Sequence, residues 1–360
     1  MNAGKTPVVV GTPTIDSAEH IAGSLAHLRG ELARCADAYA LRWVICVNGD
    51  DAAARARARR AIERYFETAG RGDAALAVTV LEVPRAGRNS ALNEILAFAR
   101  RHAPDGILHC FDDDIRVRPG TLRRNLDAMQ VRDRVDQAPV LVGAALRARR
   151  ASWAELRARH RGPLRALAVA FLQRVIATPY QAHSVVPRFC EGFCFGAMVK
   201  HMPDYPPDHS GVTDDTYLSN FFAVRGRARF ERDALPPTHK PADSVGWMLL
   251  PHSYREWRRQ QLRVHAGVLR SFQRFPAARE FLERYYAWPY AFNPSSRQPA
   301  PARSPSDRLF HPLYMLLHRR NHRDARRLVD AGALPAWGNA ESAKPSAGPP
   351  ARARDPATSS

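Results

Sequence analysis

The feature that most constrains this chain is an alternation of short apolar runs and helix-period segments over about its first 145 residues, closing on three consecutive aspartates. Val8-Val9-Val10 is an apolar run stopped by Gly11-Thr12-Pro13, and a helical pattern follows from about Ser17 to Ala40, with Ile21, Leu25, Leu28 and Leu32 at three- and four-residue spacing. Trp43 to Val47 reads as a second strand, 52–69 as a helix, Ala77 to Val83 as a strand and Asn89 to His102 as a helix whose inner face is Leu92, Ile95, Leu96 and Ala99. Gly106 to Phe111 is then a buried strand that delivers Asp112-Asp113-Asp114 at its carboxyl end. This rhythm predicts an α/β fold with a largely parallel sheet and crossover helices. Ligands of such sheets sit beyond the carboxyl ends of the strands. Three polar clusters occupy that edge: Thr12 to Asp16, Asn48 to Asp51, and Asp112 to Asp114.

The rhythm breaks at about 147–188, which carries nine arginines and one acid, Glu155. Within it, Leu164, Leu167, Ala168, Phe171, Leu172 and Val175 share one helical face, with Arg165 and Arg174 outside it. Two readings stand: a basic amphipathic helix lying in a membrane interface, or a helix packed on the sheet. We expect one α/β domain over 1–292 with this basic insertion, a Pro/Ser/Arg-rich linker over 293–306, a helical extension over 307–335 and a disordered tail over 336–360.

Composition removes several classes. Lys and Arg number 54 against 35 Asp and Glu, a net charge of +19, which suits nucleic acid, an anionic membrane or an anionic substrate. The arginines are not interleaved with aromatics in any nucleic-acid-reading motif, which argues against nucleic acid. No apolar run reaches transmembrane length, and the start leaves no room for a signal peptide's apolar region. Five cysteines make no disulfide framework, and Cys190 and Cys194 lack a second pair at zinc-finger spacing. Gly4-Lys5-Thr6 precedes its strand, so it is no P-loop, and no G-x-G-x-x-G follows a strand. The expectation is a cytoplasmic protein, peripheral at the cytoplasmic face of the membrane if 160–178 contacts lipid.

Three carboxylates after a buried strand call for neutralisation. On an extended segment Asp112 and Asp114 face the same way, the spacing for a hard cation such as Mg²⁺ or Mn²⁺ that completes its shell with phosphates and water. Asp113 then points elsewhere, to a nucleotide ribose or a backbone donor. A solvated turn before Pro119-Gly120 is the plainer alternative.

Over roughly residues 6–268 the order of motifs resembles that of a family 2 glycosyltransferase. The resemblance implies a GT-A fold, a mixed, mainly parallel sheet flanked by helices, and an inverting enzyme using a nucleotide sugar. Thr12-Pro13-Thr14 is similar to the family's first nucleotide-contacting loop, and Val44 to Asp51 to its second strand and acidic turn. Asn48 stands near where the family often has an aspartate that reads uracil, with Asp50 beside it. Arg85 to Asn93 resembles the Gly-Lys-x-x-Ala-Leu-Asn segment, which implies that Arg88 lies by the nucleotide. Phe111-Asp112-Asp113-Asp114 matches D-x-D, with Asp112 and Asp114 as metal ligands and Asp113 on the nucleotide side. Cys190 to Ala197 resembles the small-residue segment near the donor sugar, placing Gly192 there.

Thr213-Asp214-Asp215 is similar to the family's Thr-Glu-Asp motif, with Asp214 replacing the glutamate, and Asp215 aligns with the catalytic base. An inverting transfer needs one base opposite the leaving diphosphate to take the acceptor hydroxyl's proton. Read locally, Thr213 is an N-cap and both acids favour a first helical turn; the two readings are compatible. Gln260 and Arg263 match a Gln-x-x-Arg-Trp motif in which Val264 replaces the tryptophan, with Tyr254 and Trp257 upstream as a substitute aromatic wall. A guanidinium fork at Arg263 suits a diphosphate.

The expected function is therefore metal-dependent transfer of a sugar, from UDP-sugar in the first instance, to a glycan or lipid hydroxyl, with Asp215 as base. The alternatives are a nucleotidyltransferase of the same fold, or an inactive basic protein that binds nucleic acid or anionic lipid.

Overall fold

The computed structural model describes residues 4–15, 18, 20–69, 76–136, 139–182, 190, 192–286 and 305–333. The expected linker and tail lie almost wholly outside the described residues. Four parallel strands form the first half of the main sheet: β1 (Thr6–Thr14), β2 (Tyr39–Asn48), β3 (Ala77–Val83) and β4 (Ile107–Phe111). With β5 (Arg116–Val117), β6 (Leu141–Gly143), β7 (Ala145–Arg149), β8 (Cys194–Met198), β9 (Thr238–His239) and β10 (Val245–Leu249), two sheets result. The larger has seven strands in the order β3-β2-β1-β4-β8-β6-β9; the smaller is β5-β10-β7. Only β8 runs antiparallel to its neighbours in the larger sheet, beside β4 and β6. The mixed, mainly parallel sheet flanked by helices expected from the sequence is present.

The central strands read as unbroken apolar runs because both faces are covered. Val8 and Val10 enter one core with Trp43, Ile45 and Val47, while Val9 enters the opposite core with Val44 and Cys46. The helices α1 (Ile21–Ala33), α2 (Ala52–Thr68) and α4 (Thr121–Asp136) line the first face, and α3 (Arg88–His102) with α7 (Asp214–Asp233) the second. The predicted helix 17–40 is shorter: α1 ends at Ala33, and the turn Cys35–Ala38 leads into β2. Burial of Tyr39 and Leu41, paired with Thr6 and Val8, outweighs helix propensity there.

The insertion forms α5 (Trp153–Arg159), closed by a Ser152–Glu155 capping box, and α6 (Pro163–Ala182). After β10 come α8 (Tyr254–Arg274) and α9 (Pro276–Tyr286), and the helical extension is one helix, α10 (Pro305–Asp330), with Pro312 inside it. Ile176 and Ala177 of α6, Leu250 and Trp257 bury a cluster that Tyr314 and Leu317 of α10 cover. The apolar face expected on α6 divides: Val175 is buried, whereas Leu164, Leu167 and Phe171 are exposed. No described helix is long and apolar enough to cross a membrane. All five cysteines are free and buried.

Candidate active site

Strand order turns back at β1, whose neighbours are β2 and β4, and the crevice beyond their carboxyl ends is where such sheets bind ligands. β4 delivers Asp112 to Asp114 there. Asp113 accepts a 2.5 Å hydrogen bond from the Thr14 hydroxyl at the end of β1. Asp112 turns the other way and pairs with Arg88 at the start of α3. Arg88 also donates from Nε to Asp214 at 2.9 Å and from Nη2 to the Gly192 carbonyl. One guanidinium thus joins the D-x-D segment, the loop before β8 and the first turn of α7.

The electrostatics follow. Burial opposes the charge on Arg88, but Asp112, Asp214 and Asp215 more than offset it, so its pKa lies above the ordinary arginine range. Burial raises the carboxyl of Asp112 well above the usual aspartate range, with Arg88 pulling the other way and Asp114, Asp214 and Asp113 adding repulsion. Asp214 is raised for the same reasons, burial first, then Asp215 against the pull of Arg88. Arg263 belongs to the same field: burial lowers its pKa, while Asp215, Asp214 and Asp112 hold its charge.

The acid pair is set by α3. Asn89 donates to the carbonyls of Pro206 and Val212, and Asn93 clasps Tyr205 through both its amide atoms. Asp208 reaches back to accept from the backbone N–H groups of Asn89 and Ser90 at 2.9 and 3.0 Å and from the Ser90 hydroxyl. It thereby satisfies the helix N-terminus that Gly87 leaves without a cap. Gly87 has φ +133, and a Cβ there would overlap the Asp208 carboxylate. The segment 205–212 is held in this way, and α7 opens directly after it. Thr213 is the N-cap residue of α7, but its hydroxyl bonds Thr216 Oγ1 rather than a backbone N–H, a correction to the local capping reading. Asp215 Oδ1 accepts from Thr216 N at 2.7 Å.

Gly267 lets α8 approach this point; a Cβ there would lie 2.9 Å from the Thr213 methyl. Arg263 is one turn earlier on the same helix, which accounts for its place in the field of Asp215. Gln260 lies a further turn back, half-buried. Trp257 is 2% exposed in the cluster of Ile176 and Leu250, so the expected aromatic wall is a core residue. It sits on the face of α8 that turns to α6 and α10.

The remaining expected residues lie at the rim or within the sheet. Thr12 and Pro13 are inside β1 rather than in a loop, and the buried Thr12 hydroxyl accepts from Trp43 Nε1 at 3.0 Å. Asn48, nearly buried, donates to the Gly87 carbonyl at 2.8 Å, and Asp50 accepts from Ala86 N at 2.8 Å. Together they tie the end of β2 to the turn before Arg88. Asp16 and Glu191 lie outside the described residues.

Among the described residues no group of three or more His, Cys, Asp or Glu side chains is arranged to hold a metal ion. A hard cation needs only one or two protein carboxylates when substrate phosphates and water complete its shell. Asp114, exposed at the rim, and Asp112 fit that role, with Asp112 shared with Arg88. Asp208, Asn89 and Asn93 are the site-building residues that the sequence motifs did not single out as such. Their partners lie more than a hundred positions away, so no local spacing announces them.

Neither a protein-family model nor a curated protein sequence matches the chain. Among solved structures it is similar to S. aureus TarS 1-349, with 12% identity, 92% of this chain and 94% of that chain covered, and a TM-score of 0.42. It is also similar to mannosyl-3-phosphoglycerate synthase from Rubrobacter xylanophilus, with 15% identity, 75% of each chain covered and a TM-score of 0.38. A shorter likeness, to UDP-glucose pyrophosphorylase from Acinetobacter baumanii, covers 39% of this chain and 56% of that one, at 10% identity and a TM-score of 0.26. With likenesses this distant, the chemistry of the site rests on the chain's own residues.

Proposed function

We propose that this chain is an inverting glycosyltransferase of the GT-A type, moving a sugar from a nucleoside-diphosphate donor, a UDP-sugar in the first instance, to a hydroxyl of a glycan or lipid acceptor. The observation that carries this reading is the meeting, at the carboxyl end of β4, of D-x-D carboxylates, two arginines and the acid pair of α7 around one crevice. Paired carboxylates next to half-buried guanidiniums suit a substrate that is both phosphorylated and metal-bound.

In this reading the acceptor oxygen attacks the anomeric carbon, its proton passes to Asp215, and the bond from that carbon to the diphosphate oxygen breaks. Asp214, fixed by Arg88, keeps the acid pair oriented, and Arg263 faces the departing diphosphate with a fork suited to phosphate oxygens. Asp112 and Asp114 would hold Mg²⁺ or Mn²⁺, which when bound supplies Lewis-acid stabilisation of the charge on the diphosphate. Arg88, Asn48, Asp50 and Asp113 form the nucleotide side, with Thr12, Pro13 and Gly192 as backbone and shape around it; Gln260 accompanies Arg263. Attachment to an anionic membrane surface belongs to the same reading, since a lipid acceptor resides there.

Release of nucleoside diphosphate, measured across a panel of sugar nucleotides with and without Mn²⁺, tests the reaction class. Asp215→Asn is expected to keep donor binding and to lose turnover by about 10³-fold. Unchanged turnover removes Asp215 from its role, and release of pyrophosphate in place of a nucleoside diphosphate replaces glycosyl transfer with nucleotidyl transfer.

A further inference from the structure

The face of α6 turned away from the protein is apolar. Leu164 is 80% exposed, and Leu167, Ala168 and Phe171 share its side of the helix, while Ala166, Val169, Gln173 and Ile176 face inward. A solvated helix normally shows the opposite arrangement. Beside it, α10 repeats the pattern: Leu309 is 73% and Leu316 65% exposed, on one stripe with Pro312. The two stripes are joined, because Phe171 meets Phe310 edge-on at 5.7 Å and Arg174 lies over the Phe310 ring. One apolar surface therefore spans two helices that are distant in sequence but touch in the fold.

Among the described residues the exposed charge beside this surface is mainly basic. Arg157 and Arg159 at the end of α5, Arg161 in the turn and Arg165 at the start of α6 are exposed, and the stripe on α10 continues into Arg320 and Arg323. Among the acids whose side chains are described, Glu155 is committed to Arg149 and the capping box, and Asp324 to Arg258 of α8. An apolar strip framed by guanidiniums is complementary to a layer with anionic headgroups above an acyl interior.

We infer that α6 and α10 together form a docking face that lies in the interface of an anionic lipid bilayer. The C-terminal helix is then a working half of that face and not an appendage. The inner sides of both helices meet α8 through Ile176, Trp257 and Leu317, so the docked face backs onto the helix that carries Gln260 and Arg263. The inference locates the membrane attachment of the proposed function on α6 and α10, and because it is argued from exposure and charge, loss of lipid binding and loss of glycosyl transfer are separate outcomes.

Flotation of the full chain with phosphatidylglycerol vesicles and with phosphatidylcholine vesicles tests it, each at low and high salt. Binding to the anionic vesicles is expected to exceed binding to the neutral ones at least about ten-fold and to weaken with salt. Because the altered side chains are exposed, Leu164→Ser with Phe171→Ser, and separately Leu309→Ser with Leu316→Ser, are expected to leave folding intact. Each pair is expected to reduce anionic binding by about ten-fold or more. Failure of the unaltered chain to float, binding that ignores both double variants, or vesicle-independent self-association abolished by them would overturn the inference; the last would assign the face to a second copy.

Discussion

Arg88 is the residue on which the site turns. It lies between half-buried Asp112 and buried Asp214, and its removal leaves both without their main counter-charge. Breaking such a partly buried network costs about 3 kcal/mol at neutral pH. Arg88→Met is expected to show that loss in chemical denaturation at pH 8. The carboxyls of Asp112 and Asp214 are already raised by burial, and losing Arg88 raises them further. The native state then holds more protons than the unfolded chain at mildly acidic pH, so stability falls as pH rises through the raised values. The variant is therefore expected to recover part of its deficit at pH 5; an equal deficit at both values would show that the carboxylates do not carry the penalty. His27 has the opposite sign. Burial first, then Arg116 and Arg34, lower it from 6.5 to about 4, and its Nε2 accepts from Val117 N at 2.9 Å, which only the neutral ring allows. The unfolded chain binds the proton more readily, so this contribution is complete above pH 6.5 and is lost as pH falls toward 4. Relative to His27→Gln, the unaltered protein is expected to lose up to about 1.4 kcal/mol per pH unit across that window.

At the scale of elements, the acid pair depends on how three helices close around it. α3 holds the segment before α7 through Asn89, Ser90 and Asn93, and Gly267 admits α8 close enough for Arg263 to share the field of Asp215. α8 is in turn fastened from outside. Arg258 pairs with Asp324 at 2.8 Å, Arg270 donates to the Ala333 carbonyl at 2.9 Å, and the His265 ring packs against His318 and His322. Tyr314 and Leu317 cover the cluster that includes Trp257. Ending the chain at residue 304 is expected to cost about 3 kcal/mol of stability through that uncovered cluster. If the chain transfers a sugar as proposed, the truncation is also expected to raise the donor KM more than it lowers kcat, because Arg263 loses the support of its helix while Asp215 keeps its own. A fall in kcat alone would place the effect of α10 on the acid pair instead.

For the molecule as a whole, the layered architecture was legible because its signals are local. Apolar runs such as Trp43 to Val47 and helical spacing such as Leu92, Ile95, Leu96 and Ala99 report periodicity within a single element. The acid triplet at the end of β4 was equally readable, since strand ends and ligand edges coincide in this class of sheet. What the sequence did not disclose is relational. Nothing near residue 208 marks it as the cap of a helix that begins at 88, and nothing near Trp257 tells a wall from a core. Thr12, read as a loop contact, is drawn into β1 by pairing with Ile45 and by its bond to Trp43. The outward apolar face of α6 looked the same, in sequence, as an inward one. The +19 charge also resolves only in three dimensions, into arginines that grip the carboxylates of the crevice and arginines that frame the α6 and α10 face.

The capping of α3 by Asp208 bears on the order in which the molecule is assembled. Each tie between α3 and the acid pair spans more than a hundred residues, and Arg263 joins only after α8 exists. Contacts of such separation form late, because the loop they close is long and its entropy is lost before they contribute. During synthesis β1 to β4 are made well before residue 208, so four of the seven strands of the main sheet can pair while the crevice is still open. Asp112 and Arg88 both belong to that first half and can pair at this stage, whereas Asp208 and Asp214 come from chain made later, so the closing of the acid pair onto Arg88 is expected to be a late step.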